Sequence, residues 1–205
     1  MRKLLLIWGL PVVIYAGFWA WYTNLGGPIS PAEAETYLAY FETRDVDAVR
    51  LAQLQRFMAE DDGGDFVMLN LLDLKSEAAG ADLAAGATGE DAMARYMDYM
   101  WPSLLARASH PLLFGPAISD AMDIEGMEGA VGWTSGAAMR YRSRRDMMEI
   151  ATNPAFSGAH VYKIAALDKT IAVPVHDGLP LADPRVLLFF VLMSLAGLLN
   201  AFVRR

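Results

Sequence analysis

The chain has no cysteine among its 205 residues. Disulfide bonds, thiolate nucleophiles and cysteine-based metal sites are therefore excluded. It has only three histidines, and it lacks a serine–histidine triad, a phosphate-binding loop, an HExxH motif and a paired-carboxylate signature. No motif thus indicates an enzyme, and neither a metal nor a cofactor is predicted.

Charge is missing from two long stretches, Leu4–Tyr22 and Val186–Val203. At about 1.5 Å per residue, each would span roughly 27–29 Å as a helix, near the thickness of a bilayer core. A signal peptide is the alternative for the first stretch. That stretch is 19 residues long, however, with aromatic residues at its outer end and no A-x-A-like cleavage site after it. The second stretch is apolar on every face, which suits lipid better than a domain core. We predict two membrane helices.

Basic residues at the two tips of the chain predict its orientation. Arg2 and Lys3 precede the first apolar stretch, and Arg204 and Arg205 follow the second. By the positive-inside rule, both termini are cytoplasmic. Residues 24–185 are then held on the opposite, periplasmic or extracellular, side of the membrane.

Basic residues are scarce in this middle segment, which has 24 acidic and 13 basic residues and so a net charge of −11. Such a surface repels phosphate backbones, so nucleic acid is excluded as a partner. It also has no reason to adhere to anionic lipid headgroups, and lipid is expected only around the two helices. About 160 residues suffice for one soluble domain with its own core.

Turn formers and hydrophobic periodicity divide the middle segment into elements. Ser30 and Glu33 form a capping-box pattern that opens a helix, and a second helix is predicted over Val46–Ala59. The elements predicted after these are a strand over Phe66–Asp73, a helix from Thr88 to Leu104, strands over Leu112–Ile118 and Val131–Tyr141, helices after Ser143 and over Phe156–Leu167, and a strand over Thr170–Val175. Their order is the β-α-β-β-α-β of a ferredoxin-like α+β domain.

Several short sequences in this region occur together in a known order. They are VMLNLL at Val67–Leu72, Tyr96-Met97, Trp133, RYRSRR at Arg140–Arg145, NPAF at Asn153–Phe156 and AALD at Ala165–Asp168. Together they resemble the domain-of-unknown-function 1330 family over about Phe66–Val175. That family belongs to the dimeric α+β barrel superfamily. The resemblance implies a homodimer packed sheet against sheet, with a pocket between sheet and helices in each subunit. It implies no reaction, because the fold hosts both enzymes and non-catalytic binders.

The chain departs from the family in two respects. Lys163 stands where the family commonly has an arginine, and a lysine cannot make the same bidentate contact with an anion. The membrane helices and the helices over Ser30–Ala59 are additions, which indicate an anchored version. The predicted division is a membrane helix over 4–22, a linker with amphipathic helices over 23–62, the barrel domain over 63–176, a linker over 177–185 and a membrane helix over 186–203.

Asn70 and Trp133 are candidate ligand-binding residues on predicted strands. Asn70 is the one polar side chain before the end of an apolar strand, where a buried amide must bond either to backbone or to a ligand. Trp133 is predicted to share a strand face with the small Ser135. The space beside the indole could admit a planar apolar ligand or a facing helix.

His160 and Tyr96 are the candidates for proton transfer, and both are also candidate ligand-binding residues. A core tyrosine with a solvated hydroxyl is the alternative for Tyr96, and a surface position is the alternative for His160. His110 lies 50 residues before His160 and is predicted to be a loop residue. This spacing fits no haem or metal motif.

Arg140, Arg142, Arg144 and Arg145 form the only basic cluster of the middle segment. Arg144 and Arg145 would lie in a helix's first turn, where positive charge opposes the helix dipole. We expect the four arginines to pair with acidic residues. An anionic ligand is the alternative, and Arg140 is included among the ligand-binding candidates.

The hypothesis that follows is a membrane-anchored α+β barrel protein, non-catalytic or binding a small ligand. It would be a homodimer and an accessory subunit of a membrane complex. The alternative is a monooxygenase- or isomerase-like enzyme acting on an apolar molecule. In such an enzyme His160 or Tyr96 would transfer a proton, and Asn70 would orient a carbonyl. A third hypothesis is that the middle domain only holds the helices in register.

Overall fold

The computed structural model describes residues 2–44, 46–80, 82–176 and 183–203. The helices are α1 (Arg2–Tyr22), α2 (Pro31–Glu42), α3 (Ala48–Ala59), α4 (Gly89–Ala106), α5 (Arg144–Thr152), α6 (Pro154–Ala166) and α7 (Pro184–Val203). The strands are β1 (Phe66–Leu74), β2 (His110–Pro116), β3 (Ser135–Tyr141) and β4 (Leu167–Val175). Most of the predicted linker over 177–185, as well as Arg204 and Arg205, lies outside the described residues.

The described chain forms two compact units. One comprises the residues up to Leu25 together with those from Asp183 onward, and the other is Gly26–His176. The first unit contains α1 and α7, the two described helices that are long and apolar enough to cross a membrane by length and composition. Tyr15 of α1 meets Phe189 of α7 edge to face, with 5.7 Å between ring centroids.

A four-stranded antiparallel sheet in the order β2-β3-β1-β4 is the centre of the second unit. Helices connect β1 to β2 and β3 to β4, and in each case the two connected strands are separated by one other strand. This is the ferredoxin-like topology, so the predicted α+β class is confirmed. The strand β3 begins at Ser135 and not at Val131. Before it, the hydroxyl and the amide of Thr134 both donate hydrogen bonds to the Leu72 carbonyl near the end of β1.

One face of the sheet, here called the inner face, packs against α4, α5 and α6. Phe66 and Tyr141 stack on neighbouring strands of this face, with ring centroids 5.3 Å apart. Tyr96, Met100 and Leu104 of α4 pack against them at the one-turn spacing of an amphipathic helix. The main hydrophobic core of the unit therefore lies between the inner face and these helices.

The helices α2 and α3 are an integral part of this second unit. The Ser30–Glu33 capping box at the start of α2 is present as predicted. Ile29, Met58 and Met148 form a buried cluster that joins this segment and α3 to α5. Burial of apolar side chains on both sides of this contact stabilises the docking of α2 and α3.

Two arginines of α5 hold the same N-terminal segment. Arg145 donates to the Gly27 and Pro28 carbonyls and to the Glu33 carboxylate. Arg144 donates to the Phe57 carbonyl and lies 3.8 Å from the carboxylate of Asp61. The positive charge in the first turn of α5 therefore binds the segments of α2 and α3.

Acid should loosen this attachment through Glu33. The Arg145 guanidinium and the Ser30 amide lower the pKa of the Glu33 carboxyl to about 2. A lowered folded-state pKa means that the stabilisation is present above the ordinary glutamate pKa and is lost as pH falls toward 2. Because the side chain is 37% exposed, solvent screens the pair and its contribution is below about 1 kcal/mol.

The measurement is the Tm of the wild type and of Glu33→Gln between pH 5 and pH 2. Glu33→Gln should be less stable at pH 5, and the two Tm values should converge as pH falls. Curves that stay parallel over this range would contradict the pairing.

Candidate functional site

Tyr96 and His160 meet on the helical side of the domain. Tyr96 comes from α4 and is buried, and His160 comes from α6 and is half-buried. Their ring centroids are 6.3 Å apart in an edge-to-face arrangement. Phe156, one turn before His160 in α6, stacks on the imidazole at 4.9 Å. The structure thus brings together the two residues that the sequence identified as proton-transfer candidates.

Both groups are held in their neutral forms. Burial raises the pKa of the Tyr96 hydroxyl, with a smaller effect of Tyr141 and Tyr99, so it stays protonated at neutral pH. Burial, followed by the positive charges of Lys163 and Arg50, lowers the pKa of His160. His160 Nδ1 is buried without a hydrogen-bond partner among the described atoms. The pair therefore offers a phenol donor and a neutral imidazole.

Asn70 lies on the inner face of the sheet, between Ala137 of β3 and Ala172 of β4. Its side-chain amide donates to the Met68 carbonyl two residues earlier at 3.0 Å. This is the backbone alternative that the sequence left open. The small neighbours on both sides leave the amide half-buried.

Trp133 lies before β3 and not on it, because the strand starts at Ser135. Its indole NH donates to the Ala130 carbonyl at 2.7 Å, and Lys169 lies over its ring at 4.8 Å. The prediction that Trp133 shares a strand face with Ser135 is therefore wrong. The described partners of Trp133 belong to the loop before β3 and to β4, and include neither Tyr96 nor His160.

Arg140 lies on the outer face of the sheet, opposite to the Tyr96–His160 pair. Its side chain is 3% exposed, and its guanidinium donates to the carboxylate of Asp65 at 2.6 Å and to the Ala108 carbonyl at 2.8 Å. The other three arginines of the cluster also have acidic partners: Arg142 with Asp146, Arg144 with Asp61 and Arg145 with Glu33. The structure therefore contains the predicted pairing of these four arginines with acidic residues.

His110 begins β2 and so lies on a strand and not in a loop. Its Nδ1 lies 3.1 Å from the Pro111 carbonyl. Within the described part of the chain, no three histidine, aspartate or glutamate side chains are grouped to hold a metal ion.

Lys163 is the site residue that sequence reasoning did not select. It is half-buried on α6, and its Nζ lies 5.7 Å from the centroid of the Tyr96 ring. Burial lowers its pKa, and the charge of Arg50 lowers it further. The spacing of three residues between His160 and Lys163 is a helical signal that could have indicated this, because such residues share one face.

No family model matches the chain, and no curated protein matches it. Among solved structures it is similar to RPA0582, a protein of unknown function from Rhodopseudomonas palustris, at 24% identity and a TM-score of 0.53, over 66% of this chain and 97% of that one. Methylated RPA0582 gives 24% identity and a TM-score of 0.54, over 66% and 95%. A dimeric ferredoxin-like protein of unknown function from Bacteroides fragilis matches at 11% identity and a TM-score of 0.33, over 56% and 97%.

The likeness to RPA0582 shows the fold alone. The class that the topology defines is a ferredoxin-like α+β protein, with two apolar helices outside the α+β unit.

Proposed function

We propose that this chain is a two-pass membrane protein whose acidic α+β domain is a non-catalytic or small-ligand-binding module, acting as an accessory subunit of a membrane complex. On its motifs we place it with the domain-of-unknown-function 1330 proteins. The observation that carries the proposal is the pair of apolar helices, α1 and α7, at either end of an acidic ferredoxin-like unit. A helix with no polar face is stabilised by lipid, whereas an acidic surface is stabilised by water.

A non-catalytic role is favoured by the state of the polar groups. The four clustered arginines bind acidic residues of the same domain and stabilise its fold. No carboxylate of the described residues raises the pKa of His160 to make it a charged acid. The Tyr96 hydroxyl is held protonated by burial, so it is a poor general base near neutral pH.

Reporter fusions should place residue 120 and the C-terminus on opposite sides of the membrane. The physical reason is that the basic tips stay in the cytoplasm while the acidic segment is exported. The measurement compares a reporter that is active only in the cytoplasm with one active only outside it, each at both positions. Reporters that place both positions in the same compartment would refute the topology. Recovery of the chain in the soluble fraction, separate from membranes, would also refute it.

The outer face of the sheet supports a homodimer. Leu69, Leu71, Leu113 and Val173 form an apolar patch on this face, and each is about half exposed or more. Exposed patches of this kind mark interaction surfaces, and a second copy presents the same patch for sheet-against-sheet packing.

Leu71→Lys should convert the dimer to a monomer. Two lysine charges would repel each other across the two-fold axis, or each would be buried in the interface without water. The measurement is the protein mass in uncharged detergent by light scattering. Val49→Lys, on the exposed side of α3, is the control and should stay dimeric. A Leu71→Lys protein of unchanged mass would refute this interface.

Gentle detergent extraction followed by mass spectrometry tests the accessory role. Wild type, Asn70→Ala and His160→Ala should all recover the same partner proteins, because both side chains are half-buried and offer little surface to a partner. Loss of a partner with either substitution would count against the proposal.

The second candidate is an enzyme for a small apolar molecule, favoured by the contact between Tyr96 and His160. A bound small molecule recovered with the wild type, and turnover of it that disappears in His160→Ala, would replace the non-catalytic proposal with this one.

A further inference from the structure

Two basic residues lie together on the helical side of the domain, and a third acts on both through its charge. His160 and Lys163 lie one turn apart on α6, and Arg50 of α3 is close enough for its charge to lower the pKa of both. We call Arg50, His160 and Lys163 the basic cluster of α6. The Tyr96 ring belongs to the same place, because Lys163 Nζ lies over it and the His160 ring meets it edge to face.

Among the described residues this cluster has no acidic partner, unlike the four clustered arginines of Arg140–Arg145. Arg140, Arg142, Arg144 and Arg145 each pair with a carboxylate. Within the described residues, neither Arg50 nor Lys163 makes an ion pair or donates a side-chain hydrogen bond. The segment has 24 acidic residues, yet none of those described pairs with Lys163. A half-buried lysine without a carboxylate partner carries a positive charge that is not compensated.

The cluster is also unsatisfied in its hydrogen bonds. The buried His160 Nδ1 has no partner, and the Tyr96 hydroxyl donates no hydrogen bond within the described part of the chain. A buried polar atom without a hydrogen-bond partner, such as His160 Nδ1, destabilises the fold. An acceptor that carries negative charge would compensate both the hydrogen-bond deficit and the uncompensated positive charge.

We propose that the basic cluster of α6, with the Tyr96 hydroxyl, binds the carboxylate of a small organic acid whose apolar part lies against Phe156. The aromatic rings of Phe156 and Tyr96 flank the imidazole and provide the apolar contact. A monoanion suits the site better than a phosphate dianion, because repulsion by the −11 segment grows with ligand charge. The inference deepens the ligand-binding half of the proposed function and rests on it.

The test uses the full chain in uncharged detergent, with isotope-labelled histidine rings observed by NMR and sodium benzoate as the probe. Sodium chloride at equal ionic strength is the reference. Benzoate should shift the His160 signal saturably and raise the His160 pKa by about one unit, because a carboxylate stabilises the imidazolium. The signals of His110 and His176 should not move.

Variants assign the site to the cluster. Lys163→Met should weaken benzoate binding about tenfold or more, and Lys163→Arg should retain it, because a charge-assisted bond is lost in the first and kept in the second. Arg50→Met, at an exposed position, should also weaken binding. Arg56→Met, on the same helix but paired with Glu60, is the control and should bind as the wild type.

Three results would overturn the proposal. They are equal His160 shifts with benzoate and chloride, unchanged benzoate binding in both Lys163→Met and Arg50→Met, or phosphate binding as tight as that of benzoate. None of them would alter the membrane topology, which the reporter fusions measure separately.

Discussion

Gly89→Ala should lower the stability of the α+β unit by about 3 kcal/mol or more. Gly89 is the first residue of α4, and a Cβ there would lie 2.6 Å from the Ala166 carbonyl oxygen and 2.7 Å from both the nitrogen and the oxygen of Lys75. All three are backbone atoms. The Gly89 amide donates to the Lys75 carbonyl, and the Lys75 amide donates to the Ala166 carbonyl, both at 2.9 Å. No flexible side chain can move aside, so the junction of three chain segments must open.

The measurement is the Tm of the full chain, which should fall by roughly 6–12 °C for a domain of this size. Gly158→Ala is the matched control. Gly158 also lies inside a helix, but a Cβ there meets nothing within 4 Å. Because alanine favours helix by about 1 kcal/mol over glycine, Gly158→Ala should raise the Tm. A Gly89→Ala protein as stable as the wild type would contradict the close packing at this junction.

Asp65→Ala is expected to have the second large effect, a loss of about 3–5 kcal/mol. The cause is the group left behind. Arg140 is 3% exposed, and two of its nitrogens, Nε and NH2, donate to the same Asp65 oxygen at 3.1 and 2.6 Å. Removing the carboxylate leaves a guanidinium buried with the Ala108 carbonyl but without its counter-charge.

Asp65→Asn should lose less, because an amide oxygen still accepts a hydrogen bond from Arg140. The double variant Asp65→Ala with Arg140→Met should regain part of the loss, because no charge then remains buried. Glu60→Ala removes an exposed partner of Arg56 and should leave the Tm unchanged. If Asp65→Ala were as stable as Glu60→Ala, the buried pair would not hold the outer face as described.

The features best predicted from the sequence are those that neighbouring residues determine. The cap at Ser30 depends on a residue only three positions away, and it is present. The strand order follows from the order of elements and the ferredoxin-like topology. The start of β3 was mispredicted because Val131 and Trp133 look like strand residues, whereas the bonds from Thr134 to Leu72 come from a strand 62 residues earlier.

The candidate site was predictable only in part. Tyr96 was identified on the helix predicted from Thr88 to Leu104, and His160 by being one of three histidines. Their contact depends on how α4 and α6 pack, which periodicity does not determine. The acidic partner of Arg145 lies 112 residues away, so only the tertiary structure identifies it. Lys163 was overlooked because it was compared with an expected arginine and not with its own neighbours.

The attachment of the N-terminal segment has a practical consequence for truncation. Arg145 binds the Gly27 and Pro28 carbonyls, and the Asp61 carboxylate accepts from the Ile29 amide at 2.7 Å. A fragment that starts at the sheet would therefore expose the apolar underside of α5 and remove the groups that Arg144 and Arg145 bind. A fragment meant to stay soluble without lipid should therefore span the whole of Gly26–His176.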